Sequence, residues 1–475
     1  MTTRMMHHGT AGRLPEPVVD LLDGDTATRL LNEAGLVVDR AHPDYLRHKP
    51  DETSIVSYRF DVPGDQTPGL GYAQWCARAE RADEIHTKAL TLRPRTSTVG
   101  VSVVRIDDHT VFYGFPNDAR LRRLRWYTTA RKLKPALTAL TPPGETISKT
   151  DSSSLVLKYK PERRVVTKVE LVTTEGSRQR LLVRYTTGHH AHRLAATASA
   201  LEQHGVATPA PRAQLDGGRV GIDEFVAGAE LRSWVRDGGT IAEHLGRSLH
   251  DFHRTPAPRG TPHRTELDDL VNAVEGLGTL ASWIPDLEGL AAGIADRLRS
   301  GMPCSLGRRT LIHGDLHDKN ILIDGSRAWF IDLGRAAVGS PVSDLGRLRA
   351  HAMSLGIRQP GWSPEARSHA EAVIESYRRT QTATGPTGPA LVPTAADREL
   401  SWHTVIALID QALLVTRHVE PGWPVHAHDL LSAAEAELRA SSRPSCSTRA
   451  GNRIINRITN RTVNRSHPFE SGEQP

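Results

Sequence analysis

The sequence predicts an α+β protein in which a strand-rich segment is followed by a mainly helical one. Between residues 154 and 185, apolar and polar residues alternate in three runs separated by short turns, a pattern typical of antiparallel strands. A helical stretch from His192 to His204 follows and ends at Gly205, a residue type that commonly closes helices. After residue 340, helical patterns predominate. These observations indicate two lobes of different composition, the first of them built on a sheet.

The strands of the first lobe are predicted at Ser154–Lys160, Val165–Val172 and Arg180–Tyr185. In the second lobe, short apolar runs predict buried strands at 310–312, 321–323 and 328–331, and the last two are joined by a turn at 324–326. The helices of the second lobe are predicted at 342–353, 364–380, 397–419 and 425–440, with an exposed connection at 384–389.

The length of 475 residues exceeds that of a single core and predicts two or three modules. We place an N-terminal α+β cap-like module at 1–150, a small lobe at 151–230, a helical large lobe at 231–440 and a disordered basic tail at 441–475. Hydrophobic residues make up 38% of the chain and charged residues 24%, which favours a globular protein. The three cysteines form neither a disulfide framework nor a metal cluster.

The N-terminal module contains blocks that reappear about 110 residues later. The segment 46–51 is similar to 157–162, the segment 106–111 to 215–220, and Leu121-Arg122 to Leu231-Arg232. A fixed offset over three blocks indicates a duplicated unit. Residues 40 to 130 are therefore interpreted either as a degenerate copy of the small lobe or as a β-rich segment that is similar by chance.

The formal net charge of +6 owes much to the tail, where Asn-Arg recurs every four residues from Asn452 to Arg465. We interpret this tail as solvated and disordered, with contact to RNA or a membrane surface as the open alternative. No nucleic-acid partner and no membrane partner are expected for the rest of the chain. The chain has no apolar run near 18 residues and no signal-peptide core at its start, so a cytoplasmic location is expected.

The most informative motif is His313-Gly314-Asp315-Leu316-His317-Asp318-Lys319-Asn320, followed by Ile331-Asp332-Leu333-Gly334. Its strand-like flanks put it on a loop and a hairpin that aim three polar side chains at one point. A hydroxyl that attacks a γ-phosphate must be oriented and must lose its proton, which suits the carboxylate of Asp315. Mg²⁺ prefers oxygen ligands, which Asn320 and Asp332 supply. The spacing matches the catalytic loop and metal-binding turn of protein kinases, with Gly314 in place of their Arg.

This His-Gly-Asp form resembles the aminoglycoside phosphotransferase and choline kinase group of small-molecule kinases. The resemblance implies a bilobal protein kinase-like fold, with the N-terminal module as an addition to it. Asp344 matches the family's Asp that braces the catalytic loop, and His313 is expected to brace the same turn by hydrogen bonding. The segment 222–231 is similar to the family's hinge, where the backbone of Glu224, Phe225 and Val226 would face adenine.

Three positions depart from the family pattern. A glycine-rich loop is missing, because the first hairpin of the small lobe turns through Pro161-Glu162-Arg163-Arg164; these arginines either bind phosphate or form a solvated turn. Arg184 stands where the family has its phosphate-binding Lys, and it keeps the charge with a different geometry. The helix that follows begins His192-Arg193-Leu194 and lacks the family's partner Glu.

The resemblance implies ATP-dependent transfer of a γ-phosphate to a hydroxyl of a small molecule, with ATP and Mg²⁺ as cofactors. The acceptor would be an aminoglycoside, another sugar-containing metabolite or an amino alcohol. A catalytically impaired nucleotide-binding or scaffold protein is the alternative, because of the three departures. A protein kinase is disfavoured, since the stretch between Asp332 and Asp344 is too short for a peptide platform.

Overall fold

Two five-stranded antiparallel sheets lie within the described residues up to Glu224. The computed structural model describes residues 14–148, 150–236, 241–303, 309–325, 327–383 and 393–441. The predicted connection at 384–389 and nearly all of the predicted tail lie outside these residues.

The first sheet has the order β1-β2-β3-β5-β4. Its strands are β1 (Arg40–Lys49), β2 (Thr53–Asp61), β3 (Gly69–Cys76), β4 (Val103–Arg105) and β5 (Thr110–Gly114). The helices around it are α1 (Glu16–Leu22), α2 (Gly24–Glu33), α3 (Ala79–Thr91), α4 (Leu124–Tyr127) and α5 (Ala130–Leu137).

The second sheet repeats this connectivity. Its strands β6 to β10 have the order β6-β7-β8-β10-β9, with helix α6 inserted after the third strand as α3 is in the first sheet. In both sheets the first hairpin turns through Pro and an acid with positive φ, 57° at Asp51 and 59° at Glu162. The elements are β6 (Ser153–Lys160), β7 (Arg164–Val172), β8 (Arg178–Thr186), α6 (Ala191–Gln203), β9 (Pro211–Leu215) and β10 (Val220–Glu224). The shared order supports the interpretation of residues 40 to 130 as a copy of the small lobe.

The two sheets share one apolar core, because Tyr72 and Tyr113 of the first sheet pack in the same buried cluster as Tyr159 and Val165 of the second. The opposite face of the first sheet packs against α1 and α2, and also against Trp283 of the large lobe. The N-terminal module therefore contacts both lobes.

The described part of the large lobe consists of helices around three short strand pairings. The sheets have the orders β11-β13-β14 and β12-β15. The strands are β11 (Ala229–Glu230), β12 (Thr310–Ile312), β13 (Ile321–Asp324), β14 (Arg327–Phe330) and β15 (Ala337–Gly339). The helices are α7 (Leu231–Arg236), α8 (Ala242–Arg254), α9 (Glu266–Trp283), α10 (Glu288–Ser300), α11 (Val342–Arg358), α12 (Ser363–Ala383), α13 (Pro393–Arg417) and α14 (Trp423–Ser441). The predicted hairpin and the four late helices are confirmed, with ends shifted by a few residues.

The two lobes position the candidate site between the first hairpin of the second sheet and the β12–β13 loop. Phe252 of α8 packs edge-on against Phe330 of β14, with the ring centroids 5.3 Å apart. This contact fixes the β13–β14 hairpin on the helical core. No helix in the described part of the chain is long and apolar enough to span a membrane.

Candidate active site

The loop after β12 is held in a tight turn by Gly314, whose φ is +73°. A Cβ at this position would lie 2.3 Å from the carbonyl oxygen of Arg335, a rigid backbone atom. Only glycine fits there, which is the physical reason for the His-Gly-Asp form. His313 is buried and its Nε2 lies 2.9 Å from the carbonyl oxygen of Ile331, so it connects the loop to the end of β14.

Asp344, near the start of α11, anchors the backbone of the same loop. Its side chain is fully buried and accepts hydrogen bonds from the N–H groups of His313 (2.6 Å) and Gly314 (2.9 Å). It also lies 3.1 Å from Nε2 of His253 on α8. Burial alone would raise the pKa of Asp344, but His253, His313 and the backbone N–H bond lower it below its ordinary value. This ionised carboxylate connects loop, α8 and α11.

Asp315, Asn320 and Asp332 are brought together by this anchored loop and the hairpin. The amide Nδ2 of Asn320 donates to the carbonyl oxygen of Asp315 at 2.9 Å, and the N–H of Ile331 donates to the carbonyl oxygen of Asn320 at 3.0 Å. Asp332 follows directly in the left-handed conformation, with φ 56° and ψ 57°. Asp315 and Asp332 are close enough for the charge of Asp315 to raise the pKa of Asp332.

Arginines keep both carboxylates ionised. Burial raises the pKa of Asp315, but Arg335 at 3.6 Å and Arg347 at 3.9 Å outweigh it and hold that pKa well below its usual range. Burial likewise raises the pKa of Asp332, and Arg164 at 3.5 Å and Arg184 at 3.9 Å bring it below the ordinary value. The centre is therefore a pair of carboxylates inside a ring of guanidinium groups.

Arg184 lies on β8 and has a carboxylate partner that the sequence did not reveal. Its Nη2 forms a short ion pair with Asp223 of the neighbouring strand β10, and both side chains are largely buried. The family's partner acid is expected in the following helix, which contains none at its start. The antiparallel register, in which Arg184 faces Gly221 and Leu182 faces Asp223, puts the two side chains on the same face of the sheet. Only the strand pairing, which the sequence does not display, identifies this pair.

The first hairpin of the second sheet supplies Arg164, one of the two arginines noted in the sequence, and two lysines that the sequence did not single out. Lys158 and Lys160 project from β6, and Arg164 starts β7. Burial, with the charges of Lys158, Arg164, Arg163 and Arg335, lowers the pKa of Lys160 to about 8. These cations lie close enough to Lys160 for their charges to repel it.

The predicted hinge residues lie at the end of β10. The N–H groups of Glu224 and Phe225 donate to the carbonyl oxygens of Ala210 and Arg180. In the described part of the chain, the N–H of Val226 has no backbone acceptor. The Lys168 ammonium lies 4.9 Å from the centroid of the Phe225 ring.

Behind the catalytic loop lies a second polar cluster. Asp318 accepts a hydrogen bond from Nε of Arg232 at 2.7 Å, and the rings of His317 and His351 stack at 4.3 Å. Burial raises the pKa of Asp318, but His317, His351 and Arg232 lower it far below its usual range. Asp318 is thus paired with the start of α7 and holds the loop against it.

A bilobal architecture with a carboxylate, an amide and a second carboxylate converging between the lobes defines a kinase-like phosphotransferase. Residues 167–381 match the model of the phosphotransferase enzyme family (APH), which confirms the resemblance drawn from the motif. The matched segment contains Arg184, Asp315, Asn320 and Asp332, and its similarity to that family supports a phosphotransferase. Among the curated proteins compared, none matches.

Three of the solved structures that are similar to this chain are the following. A choline/ethanolamine kinase family protein from Mesorhizobium loti is 16% identical, with 69% of this chain and 97% of that chain covered and a TM-score of 0.42. A spectinomycin phosphotransferase in complex with ADP and spectinomycin is 12% identical, with 65% of this chain and 98% of that chain covered and a TM-score of 0.45. An ethanolamine kinase from Plasmodium vivax is 15% identical, with 77% of this chain and 97% of that chain covered and a TM-score of 0.46.

Proposed function

We propose that the protein transfers the γ-phosphate of ATP to a hydroxyl group of a small molecule. The observation that carries this proposal is the convergence of Asp315, Asn320 and Asp332 on one anchored loop and hairpin. Phosphoryl transfer requires positioning and charge neutralisation more than covalent chemistry, and such a constellation provides both.

Asp315 is assigned as the residue that receives the acceptor hydroxyl. Its ionised carboxylate is a hydrogen-bond acceptor in the whole neutral pH range, because Arg335 and Arg347 hold its pKa low. It orients the hydroxyl oxygen toward the phosphorus and takes the proton as the new P–O bond forms. A carboxylate of such low basicity contributes mainly by orientation, which suits a loose transition state.

Asn320 and Asp332 are assigned as Mg²⁺ ligands. The donor set fits, since an amide oxygen and a carboxylate are hard ligands of the kind Mg²⁺ prefers. Asn320 is nearly buried and its Nδ2 is fixed on the carbonyl oxygen of Asp315, so the amide oxygen is the atom left for a cation. Mg²⁺, when bound, neutralises phosphate charge. The guanidinium groups of Arg164 and Arg184 occupy the neighbourhood of Asp332 and keep it ionised.

The nucleotide is assigned to the cleft between the second sheet and the loop. Arg184, held by Asp223, and Arg164 point positive charge at the position of the phosphates, which replaces the backbone contacts of a glycine-rich loop. Adenine would lie at Glu224, Phe225 and Val226, where the N–H of Val226 is the available donor. The Arg184–Asp223 pair supplies the carboxylate whose absence from the helix had favoured an impaired scaffold protein.

The test is Mg²⁺-dependent ADP release with a panel of sugars, amino alcohols and aminoglycosides, and nucleotide binding measured on the same samples. We expect acceptor-stimulated release that requires Mg²⁺. Asp332→Asn is expected to weaken Mg²⁺-dependent ADP binding, while Asp324→Asn, on the exposed end of the same hairpin, leaves it unchanged. Nucleotide binding without turnover for any acceptor would favour the scaffold alternative, and no nucleotide binding would refute the proposal.

A further inference from the structure

We infer that the N-terminal module positions the turn between β6 and β7, at residues 160–164, and that Arg47 and Asp118 are its positioning residues. This inference rests on the proposed function, in which Arg164, at the end of the turn, contributes positive charge for the phosphates of the nucleotide. The N-terminal module, which the family resemblance does not account for, thereby becomes a supporting part of the nucleotide site.

Glu162, the residue of the turn with positive φ, is held by two side chains of the N-terminal module. Its carboxylate forms a short ion pair with Nη2 of Arg47 on β1, and the side chains of Glu162 and Arg47 are only 8% and 19% exposed. The N–H of Glu162 donates to Oδ2 of Asp118 at 2.8 Å. Both the side chain and the backbone of this residue are therefore fixed by the module.

Asp118, in the loop after β5, is itself firmly held, so it offers a rigid acceptor. Its side chain is buried, and its Oδ1 accepts hydrogen bonds from the N–H groups of Arg120 and Leu121, each at 2.7 Å. Its Oδ2 also accepts a hydrogen bond from the hydroxyl of Tyr159 at 2.7 Å. Since Tyr159 lies near the end of β6, one carboxylate connects the loop of the N-terminal module to the strand and the turn of the small lobe.

The module contacts the turn at its beginning as well. The ammonium of Lys160, the last residue of β6, lies 5.1 Å from the centroid of the Tyr45 ring on β1. Arg164 follows Glu162 by two positions, and its Nη1 lies 3.5 Å from Oδ2 of Asp332. Because the turn is this short, a displacement of Glu162 also displaces Arg164 relative to Asp332.

The first sheet shows that the turn forms without these contacts. Its corresponding turn has Asp51 in the place of Glu162, with φ 57° against 59°, yet Asp51 is exposed whereas Glu162 is buried. Arg47 and Asp118 are therefore not needed for the shape of the turn, and they fix where it lies. A buried ion pair suits this role, because desolvation offsets much of its attraction and leaves geometry as its main contribution.

The test is binding of Mg²⁺ with AMP-PNP, a non-hydrolysable ATP analogue, to the full chain and to Arg47→Met. We expect Arg47→Met to bind at least about fivefold more weakly, because a displaced Arg164 no longer meets the phosphates. Arg47→Lys keeps the charge and should recover part of the affinity. Arg105→Met is the matched control, because Arg105 is a partly buried arginine of the same module that pairs with Asp83, and it should bind like the wild type.

A double-mutant cycle with Arg164→Met separates positioning from a general loss of structure. If Arg47 acts through Arg164, Arg47→Met should change the affinity by less than about twofold in the Arg164→Met background. Glu162→Gln, which leaves the backbone bond to Asp118 intact, and Asp118→Asn should show the same dependence on Arg164. Thermal unfolding on the same samples identifies any variant that fails to fold, and the others then carry the test.

The outcomes distinguish the inference from the proposed function. Absence of AMP-PNP binding by the wild type would refute the proposed function. With wild-type binding present, unchanged affinity in Arg47→Met and Glu162→Gln would overturn the inference. An equal loss in Arg105→Met, or a loss that persists in full in the Arg164→Met background, would overturn it as well.

Discussion

Replacing Asp344 by Asn tests whether one buried carboxylate holds the catalytic loop in place. The side chain has no exposed surface and receives two backbone N–H groups, from His313 and Gly314, as well as the imidazole of His253. Asparagine keeps the shape, but it removes the charge and turns a donating amide toward one of these donors. At least one buried N–H then has no acceptor.

The magnitude follows from these contacts. An unsatisfied buried N–H costs about 1–3 kcal/mol, and a hydrogen bond to a charged group contributes about 1.5–3 kcal/mol. Because the remaining bonds become neutral and weaker, we expect a loss of about 3–5 kcal/mol, the range for breaking a buried ionic contact. For a core of this size, each kcal/mol corresponds to roughly 2–4 °C, so the melting temperature should fall by roughly 6–20 °C.

The assay is thermal unfolding of Asp344→Asn beside Asp268→Asn. Asp268 also accepts backbone N–H, from Thr265 in the capping box of α9, but it is exposed, so its loss should cost about 1 kcal/mol. Equal and small shifts for the two variants would refute the idea that Asp344 anchors the loop.

The other predictions concern the turn, the buried pair and the lysine. Gly314→Ala should abolish activity and lower stability, because its Cβ would meet the carbonyl oxygen of Arg335. Gly325→Ala at the hairpin tip, also at positive φ but with no atom nearby, should cost about 1 kcal/mol in unfolding experiments. Similar losses for both variants would contradict the steric account. Arg184→Met should lower the free energy of unfolding by about 3 kcal/mol, because it leaves Asp223 unpaired. In a double-mutant cycle, adding Asp223→Asn should restore most of this stability. Simple additivity of the two substitutions would argue against the pairing. Lys160 loses its proton as the pH rises through about 8, so kcat/KM should fall above that pH in the wild type and stay flat for Lys160→Arg. A fall that persists in the variant would assign the titration to another group. The groups around Lys160 are Lys158, Arg163, Arg164, Arg335, Tyr45 and His418, and the carboxylates of Asp44 and Glu420 lie near His418.

Local patterns in the sequence were sufficient for the catalytic loop and the first three strands of the small lobe, but not for β9 and β10. The motif from His313 to Asn320 carries its own spacing, and alternating polarity marks β6, β7 and β8 without help from distant residues. The late helices are long, which is why their positions were predicted within a few residues.

Such local patterns do not predict which distant residues pair in the fold. The Arg184–Asp223 pair depends on the register of β8 and β10, and the contact of Lys160 with Tyr45 depends on how the N-terminal module packs. The small strands β11 and β15 have only two and three residues, too few for a periodic signal. The blocks repeated at an offset of about 110 residues were the one distant relation visible in the sequence, because both copies preserve the same Pro-acid turn.

Acceptor-stimulated ADP release by Asp315→Asn, measured beside wild type with Mg·ADP affinity on the same samples, tests the central claim most directly. Asparagine fits the space of Asp315 but cannot take a proton, so turnover should fall at least about 10²-fold, within the usual contribution of a positioned base, while nucleotide affinity stays within about twofold. Turnover near the wild-type rate in this variant would contradict the assignment of Asp315 and with it the proposed mechanism.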